Sequence, residues 1–326
     1  MVDIRFRKRY HFYRHTTYDV LKIDQGVTMM KIGIIGLGKM GINLAENCVD
    51  AGHQVVGYDL HLPQLAENQN EMTLVNHLSQ MIEELPRPRI IWSMVPSGAP
   101  TEAIFQEMMA LLEPEDIFID GGNSNYKESV IRGKLMAEKQ LYFFDVGTSG
   151  GMKGAREGAC FMIGGDEHIF KQIEPLFAGI AVADGYLYAG AVGSGHYLKM
   201  VHNGIEYGMM QAIGEGFDLL EHAPYSFDYE KVAKVWNNGS VIRSWLMELT
   251  QSAFEKDQRL EEIQGIMYSS GEGKWTVEES LEQQVATPII TMSLMMRYRS
   301  LYPDTFSGKV VAALRNEFGG HDVEKK

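Results

Sequence analysis

The chain has only two cysteines in 326 residues, Cys48 and Cys160, far apart and in no metal-like spacing. That excludes a disulfide scaffold and a cysteine-built metal centre, and two buried thiols in a reducing compartment are expected. No apolar run approaches the ~18 residues that a membrane span needs. Basic side chains are also short, 30 Lys and Arg against 43 Asp and Glu, for a net charge of −13. A protein built to bind nucleic acid wants a basic face, so nucleic acid is excluded as the main partner. A small anionic substrate remains open, because it needs only a local cluster of Arg and Lys. No internal repeat or low-complexity tract interrupts the chain. With no membrane span and no signal peptide, a cytoplasmic protein is expected.

What is present is enough for a sizeable core: 45% of residues are hydrophobic, and the length suits two domains. Residues 1–29 stand apart as an N-terminal extension, disordered or a leader. RFRKRYHFYRH is basic and aromatic, without the apolar segment of a signal peptide, and Met29 or Met30 is the expected biological start. From Lys31 short apolar strands (KIGIIG, HQVVGYD, RIIWSMVP, DIFIDGG, LYFFDVG) alternate with amphipathic stretches (39–50, 101–112, 127–139). That alternation predicts a Rossmann-type α/β domain over 30–190, with a mostly parallel sheet covered on both faces. From Val192 to Glu221 runs one long helical pattern. Helices follow at 232–236, 241–254, 278–298 and 309–318, with no strand after Pro224, so 191–326 is expected to be all-helical, a substrate and oligomerisation domain.

Gly36-Leu37-Gly38-Lys39-Met40-Gly41 fits the pattern G-x-G-x-x-G. It follows an apolar strand, opens a helix, and is trailed 18 residues after Gly41 by the acidic Asp59 at the end of the next strand. This is the dinucleotide fingerprint: glycines let the backbone approach a pyrophosphate, and the helix N-terminus offers free N–H groups. A carboxylate at Asp59 suits the ribose hydroxyls of NAD and repels the 2′-phosphate of NADP. NAD is favoured and NADP is possible, with His61 the one neighbour that could meet a phosphate. Met94-Val95-Pro96 ends a later strand, either lining the nicotinamide side or making a simple turn.

The densest group of functional side chains is GHYLKMVHNGIEY, residues 195–207. At about 100° per residue, Lys199, His202, Asn203, Glu206 and Tyr207 share one face of a helix, opposite Leu198, Val201 and Ile205. An amine, an imidazole, an amide, a carboxylate and a phenol on one stripe make a poor core. Glycines at 195, 204 and 208 let another backbone or a ligand come close.

LKMVHNGIEYG resembles the catalytic helix of 6-phosphogluconate dehydrogenases, in the β-hydroxyacid dehydrogenase superfamily. The resemblance runs from Met30 onward. It includes GLGKMG, DGGNSNY at 120–126, Thr148-Ser149-Gly150-Gly151, Gly273-Lys274-Trp275-Thr276, and Arg315 with Phe318-Gly319-Gly320-His321. The chain departs from the family at Met152-Lys153, where many members carry two acids, at Met209, often Asp, and in a short helical domain.

The resemblance implies oxidation and decarboxylation of 6-phosphogluconate to ribulose 5-phosphate with hydride transfer to NAD or NADP. It makes Lys199 the base and then the acid at the C3 oxygen, which requires a pKa depressed by burial. It makes Glu206 the acid that protonates C1. Asn203 and Asn123 would orient the C3 hydroxyl and Lys199. Ser149, Gly150, Gly151 and His202 would hold the carboxylate, and Tyr207, Lys274, Thr276, Arg297, Arg315 and His321 the phosphate. It also implies a homodimer or homotetramer whose C-terminal tail reaches a neighbouring site, and no metal. Two rivals stay open. A sister enzyme such as a 3-hydroxyisobutyrate dehydrogenase or tartronate semialdehyde reductase needs neither Glu206 nor the phosphate set. A catalytically silent NAD or sugar-phosphate sensor would have lost Lys199 or Glu206.

Overall fold

The structure is a computed structural model that describes residues 29–63 and 72–325. The leader expected over residues 1–28 lies outside the described residues. Among those described, an eight-stranded sheet has the order β3-β2-β1-β4-β5-β6-β7-β8. The strands are β1 (Lys31–Ile35), β2 (Gln54–Tyr58), β3 (Met72–Val75), β4 (Ile90–Ser93), β5 (Ile117–Asp120), β6 (Tyr142–Ser149), β7 (Ala159–Gly164) and β8 (Ala181–Gly190). Each neighbouring pair is parallel except β6 and β7, which run antiparallel. Strands β3, β7 and β8 were not among the runs expected from sequence.

The sheet has an apolar layer on each face, which is why its central strands read as unbroken hydrophobic runs. On one face Leu44 and Cys48 of α1 (Lys39–Asp50) and Phe170, Ile173 and Phe177 of α6 (Glu167–Ile180) pack on Ile32, Ile34, Trp92 and Phe161. On the other, α2 (Leu78–Glu84), α3 (Ala99–Leu111) and α4 (Tyr126–Glu138) cover Ile35, Val56, Ile91 and Phe118. A short α5 (Gly151–Glu157) links β6 to β7.

Helix α7 (Ser194–Glu221) runs 28 residues, roughly 42 Å at 1.5 Å per residue. Its buried face carries Lys199, Met200, Gly204 and Tyr207. Against it lie α10 (Gly271–Glu282) and α11 (Pro288–Ser300), while α8 (Tyr229–Asn237) and α9 (Trp245–Lys256) form a separate small core with Phe217. The single helix expected over 278–298 is two helices. Gln284 adopts φ 58° and Pro288 begins the next helix, since proline lacks the N–H that a continuing helix would use. The C-terminal α12 (Phe306–Gly319) buries no residue, and Phe306, Val310, Leu314 and Phe318 stand exposed four apart along it. A second difference concerns the thiols. Cys48 is buried as expected, but Cys160 is exposed, because strand alternation turns it away from the core that takes Ala159 and Phe161.

Candidate active site

The glycine turn is built for close approach. Gly36 takes φ +89°, which favours glycine. A Cβ on Gly41 would sit 1.8 Å from the Gly36 carbonyl oxygen, so α1 can meet the turn only with glycine there. Around Gly38 the space is open, and as the N-cap of α1 it has no side-chain cap, leaving the first N–H groups of α1, at Lys39 and Met40, free for an anion. Asp59 faces the same turn: its carboxylate accepts from Leu37 N–H at 2.7 Å and His61 N–H at 2.8 Å. Met94 and Val95 pack against Gly36 and Gly41, and the Pro96 carbonyl accepts from Thr101 Oγ1. These residues form a cradle that fits a dinucleotide.

The loop after β5 is fixed by Asp120, which accepts from Gly122 N–H and Ser124 Oγ. It presents Asn123 at φ +54°, a conformation asparagine tolerates better than most residues. Asn123 Oδ1 accepts from Thr148 N–H at 3.3 Å, which leaves its amide N–H groups for another partner. On β6, Gly147 lies against Lys199: a Cβ there would fall 2.3 Å from Lys199 Cβ. Two residues on, Ser149 Oγ lies 3.2 Å from His202 Nε2. The other ring nitrogen of His202 is 3.0 Å from Asn203 Oδ1 and 3.9 Å from Glu206.

A cavity of about 910 Å³ gathers Asn123, Ser149, Gly150, Gly151, Lys199, His202 and Glu206, with Met40 of the glycine turn on its wall. Asn203 is not on that wall and touches it only through its hydrogen bond to His202. The apolar residues expected on the far side of the helix, Leu198, Val201 and Ile205, also face this opening. The set expected at a phosphate is not brought to the cavity. Tyr207 is buried, its hydroxyl engaged with Ser270, and its ring lies 3.6 Å beneath the Arg297 guanidinium. Thr276 is buried against Gly204 and donates to backbone carbonyls of Met200 and Glu272. Arg297 donates to the Tyr268 carbonyl, and Lys274 pairs with Glu278. Arg315 and His321 are exposed near the end of the chain. Sequence reasoning did not single out Cys160, Tyr186, Trp245 or Leu249, which also line the cavity. They lie on strands or on a helix whose facing is settled only when β7, β8 and α9 are placed.

Lys199 is 5% exposed. Burial holds its pKa below the ordinary lysine value, against an opposing pull from Glu206, Glu272 and Cys160. Burial thus favours the neutral amine, the form that a general base requires. Glu206 is different, with its side chain 37% exposed at the opening. Among the described residues there is no group of three His, Cys, Asp or Glu that could hold a metal, and no helix is long and apolar enough to cross a membrane.

Known proteins share both halves of this arrangement. Residues 31–190 match the NAD binding domain of 6-phosphogluconate dehydrogenase, and residues 195–325 match its C-terminal domain. YqeC of Bacillus subtilis, named for that enzyme, is 60% identical over 300 residues, 91% of this chain and 100% of the relative. An NAD(+)-dependent, decarboxylating 6-phosphogluconate dehydrogenase of Haloferax volcanii is 41% identical over 91% of this chain and 99% of its own. The solved structure of the Plasmodium falciparum enzyme superposes with a TM-score of 0.74 at 29% identity, over 91% of this chain and 66% of that one. With both domains matched and the glycine turn and lysine helix facing one cavity, the chain belongs to the 6-phosphogluconate dehydrogenase family.

Proposed function

We propose that this protein oxidises 6-phospho-D-gluconate at C3 and releases CO2, leaving D-ribulose 5-phosphate, in the cytoplasm. NAD is the favoured cofactor and NADP a possible one. The observation that carries this reading is the shared cavity of Lys199, Glu206, His202, Asn123 and Ser149 beside Met40 of the cofactor turn. The nicotinamide ring, when bound, supplies the hydride acceptor. The glycine turn and the α1 N-terminus hold its pyrophosphate, and Asp59 holds the adenosine ribose and disfavours a phosphate there.

Lys199, in the neutral form that burial favours, takes the C3 hydroxyl proton. As a cation it then returns that proton to the C3 oxygen while the carboxylate leaves. Glu206, carrying a proton, delivers it to C1, and Lys199 takes back the enediol hydroxyl proton as the ketone forms. Ser149, Gly150, Gly151 and His202 hold the carboxylate before it departs, and Asn123 and Asn203 keep the amine and imidazole in place.

A second copy of the chain completes the phosphate end. Support comes from α12, whose apolar stripe is uncovered, and from exposed Ile205, Met209, Trp245 and Leu249 along α7 and α9. An apolar stripe of this length is normally covered. Docking it on a partner would carry Arg315 and His321 toward that partner's Lys274 and Arg297. Absorbance at 340 nm with 6-phosphogluconate and either cofactor tests the activity. Formation of reduced cofactor with a short hydroxyacid and none with 6-phosphogluconate would refute it. Light scattering that finds only monomers at assay concentration would refute the shared phosphate end.

A further inference from the structure

Cys160 is exposed and sits directly across the sheet from Ser149 in the β6–β7 pairing. It lines the same cavity as Lys199, and also a smaller one of about 370 Å³ that opens between Lys153 and Trp245. The neighbouring Ser149 hydroxyl is already tied to His202. Independently of the thiol, Lys199, nine-tenths buried, directs an amine with no hydrogen-bond or ion-pair partner among the described residues into that cavity. The cavity beside Cys160 therefore holds an amine donor in want of a partner, which a new oxygen on its sulfur could meet.

We propose that Cys160 is a modification site, and that its oxidation to a sulfenic acid by a hydroperoxide closes the carboxylate end of the cavity to substrate. The inference rests on reading that cavity as the substrate site. In the step, a sulfur electron pair attacks the distal peroxide oxygen. An S–O bond forms, the O–O bond breaks, and the thiol proton leaves with the departing oxygen as water or an alcohol. Sulfur loses two electrons and the peroxide gains them. Two equivalents of an external thiol reverse it, the first displacing water to give a mixed disulfide and the second freeing Cys160 as the external disulfide forms. Cys48 is the internal control. It is fully buried, and burial pushes its thiol up to about 12, so it forms no thiolate at neutral pH and is shielded from the oxidant.

The full-length protein is treated with hydrogen peroxide, trapped with dimedone and mapped by mass spectrometry. Calorimetry then reads 6-phosphogluconate binding before and after oxidation. Dimedone should mark Cys160 and not Cys48. Binding should weaken by about tenfold or more, equivalent to about 1.4 kcal/mol, and dithiothreitol should restore it when added in place of dimedone. In Cys160→Ser, measured against its own untreated binding, peroxide should change nothing. Equal weakening in that variant, or labelled Cys160 with unchanged binding, overturns the proposal. Untreated protein that binds no 6-phosphogluconate refutes the substrate reading and this inference with it. Binding that is present but indifferent to oxidation refutes this inference alone.

Discussion

Placing one methyl group on Gly147 should disable the enzyme without unfolding it. A Cβ built there falls 2.3 Å from Lys199 Cβ, 2.9 Å from its Cγ and 3.2 Å from the Gly195 carbonyl oxygen. Carbon atoms pack at about 3.5 Å, so relief demands a separation of roughly 1 Å between β6 and α7. Strand β6 is held on both sides by β5 and β7, and the helix must give. Overpacking of this kind costs about 1–3 kcal/mol. A displacement of about 1 Å in a reacting group costs on the order of 100-fold in rate. Gly147→Ala should therefore melt a few degrees low, still bind NAD through the unaltered glycine turn, and lose about two orders of magnitude in kcat. Initial rates at 340 nm, calorimetric NAD titration and a thermal melt give the three readings. A folded variant with kcat within about threefold of wild type would show that Lys199 is not held in place by that contact.

Lys199→Arg keeps the charge but cannot become neutral at working pH, so kcat should fall by about 100-fold or more while 6-phosphogluconate still binds; near-normal turnover would remove Lys199 as the base. Burial lowers the Lys199 pKa below 10.5, so between the folded value and 10.5 the unfolded chain binds more protons and the fold loses stability as pH drops from 10.5. Lys199→Met should accordingly melt higher than wild type at neutral pH, by a margin that shrinks toward pH 10.5, and a constant margin in scanning calorimetry would refute this. Asp59→Ala removes the acceptor for Leu37 and His61 N–H and should lower the ratio of NAD to NADP efficiency by about tenfold; an unchanged ratio acquits Asp59. Leu314→Glu puts a charge on the exposed stripe of α12 and should shift sedimentation toward monomer and raise KM for 6-phosphogluconate more than KM for NAD, whereas an unaltered sedimentation profile would free α12 from assembly.

The parts of the molecule visible in the sequence are those whose signal is local. KIGIIG followed by GLGKMG declares a strand, a turn and a helix within a dozen residues, and α1 begins and ends where its apolar spacing says. The α7 stripe was equally plain, because helical periodicity alone brings Lys199, His202 and Glu206 to one side. Three things were not legible. Strands β7 and β8 are set by tertiary pairing, and the turn of Cys160 toward the cavity follows only from its register with Ser149. The break between α10 and α11 lay in the Pro288 signal, overridden by the surrounding helical pattern. The facing of Leu198 and Ile205 misled for a physical reason: a helix covered by its own chain hides its apolar side, whereas here that side opens on the cavity beside α9.

That opening bears on how the two proton carriers divide their work. Lys199 and Glu206 stand two turns apart on one helix, about 10 Å along its axis. Helical side chains lean toward the N-terminus, so Glu206 leans back over Lys199 rather than away from it. Their exposures differ sharply, 5% for Lys199 as a residue and 37% for the Glu206 side chain. A sealed amine exchanges its proton mainly with what lies in the cavity, which suits a group that takes a proton from the C3 oxygen, returns it during decarboxylation and takes it again as the ketone forms. A carboxyl at the mouth can be recharged from water once its proton has gone to C1, and the proton that Lys199 is left holding must leave before the next turnover, so the two exchanges balance. Their order along α7, lysine deep and glutamate at the rim, suits a base that works on one substrate oxygen and an acid that is recharged once per turnover.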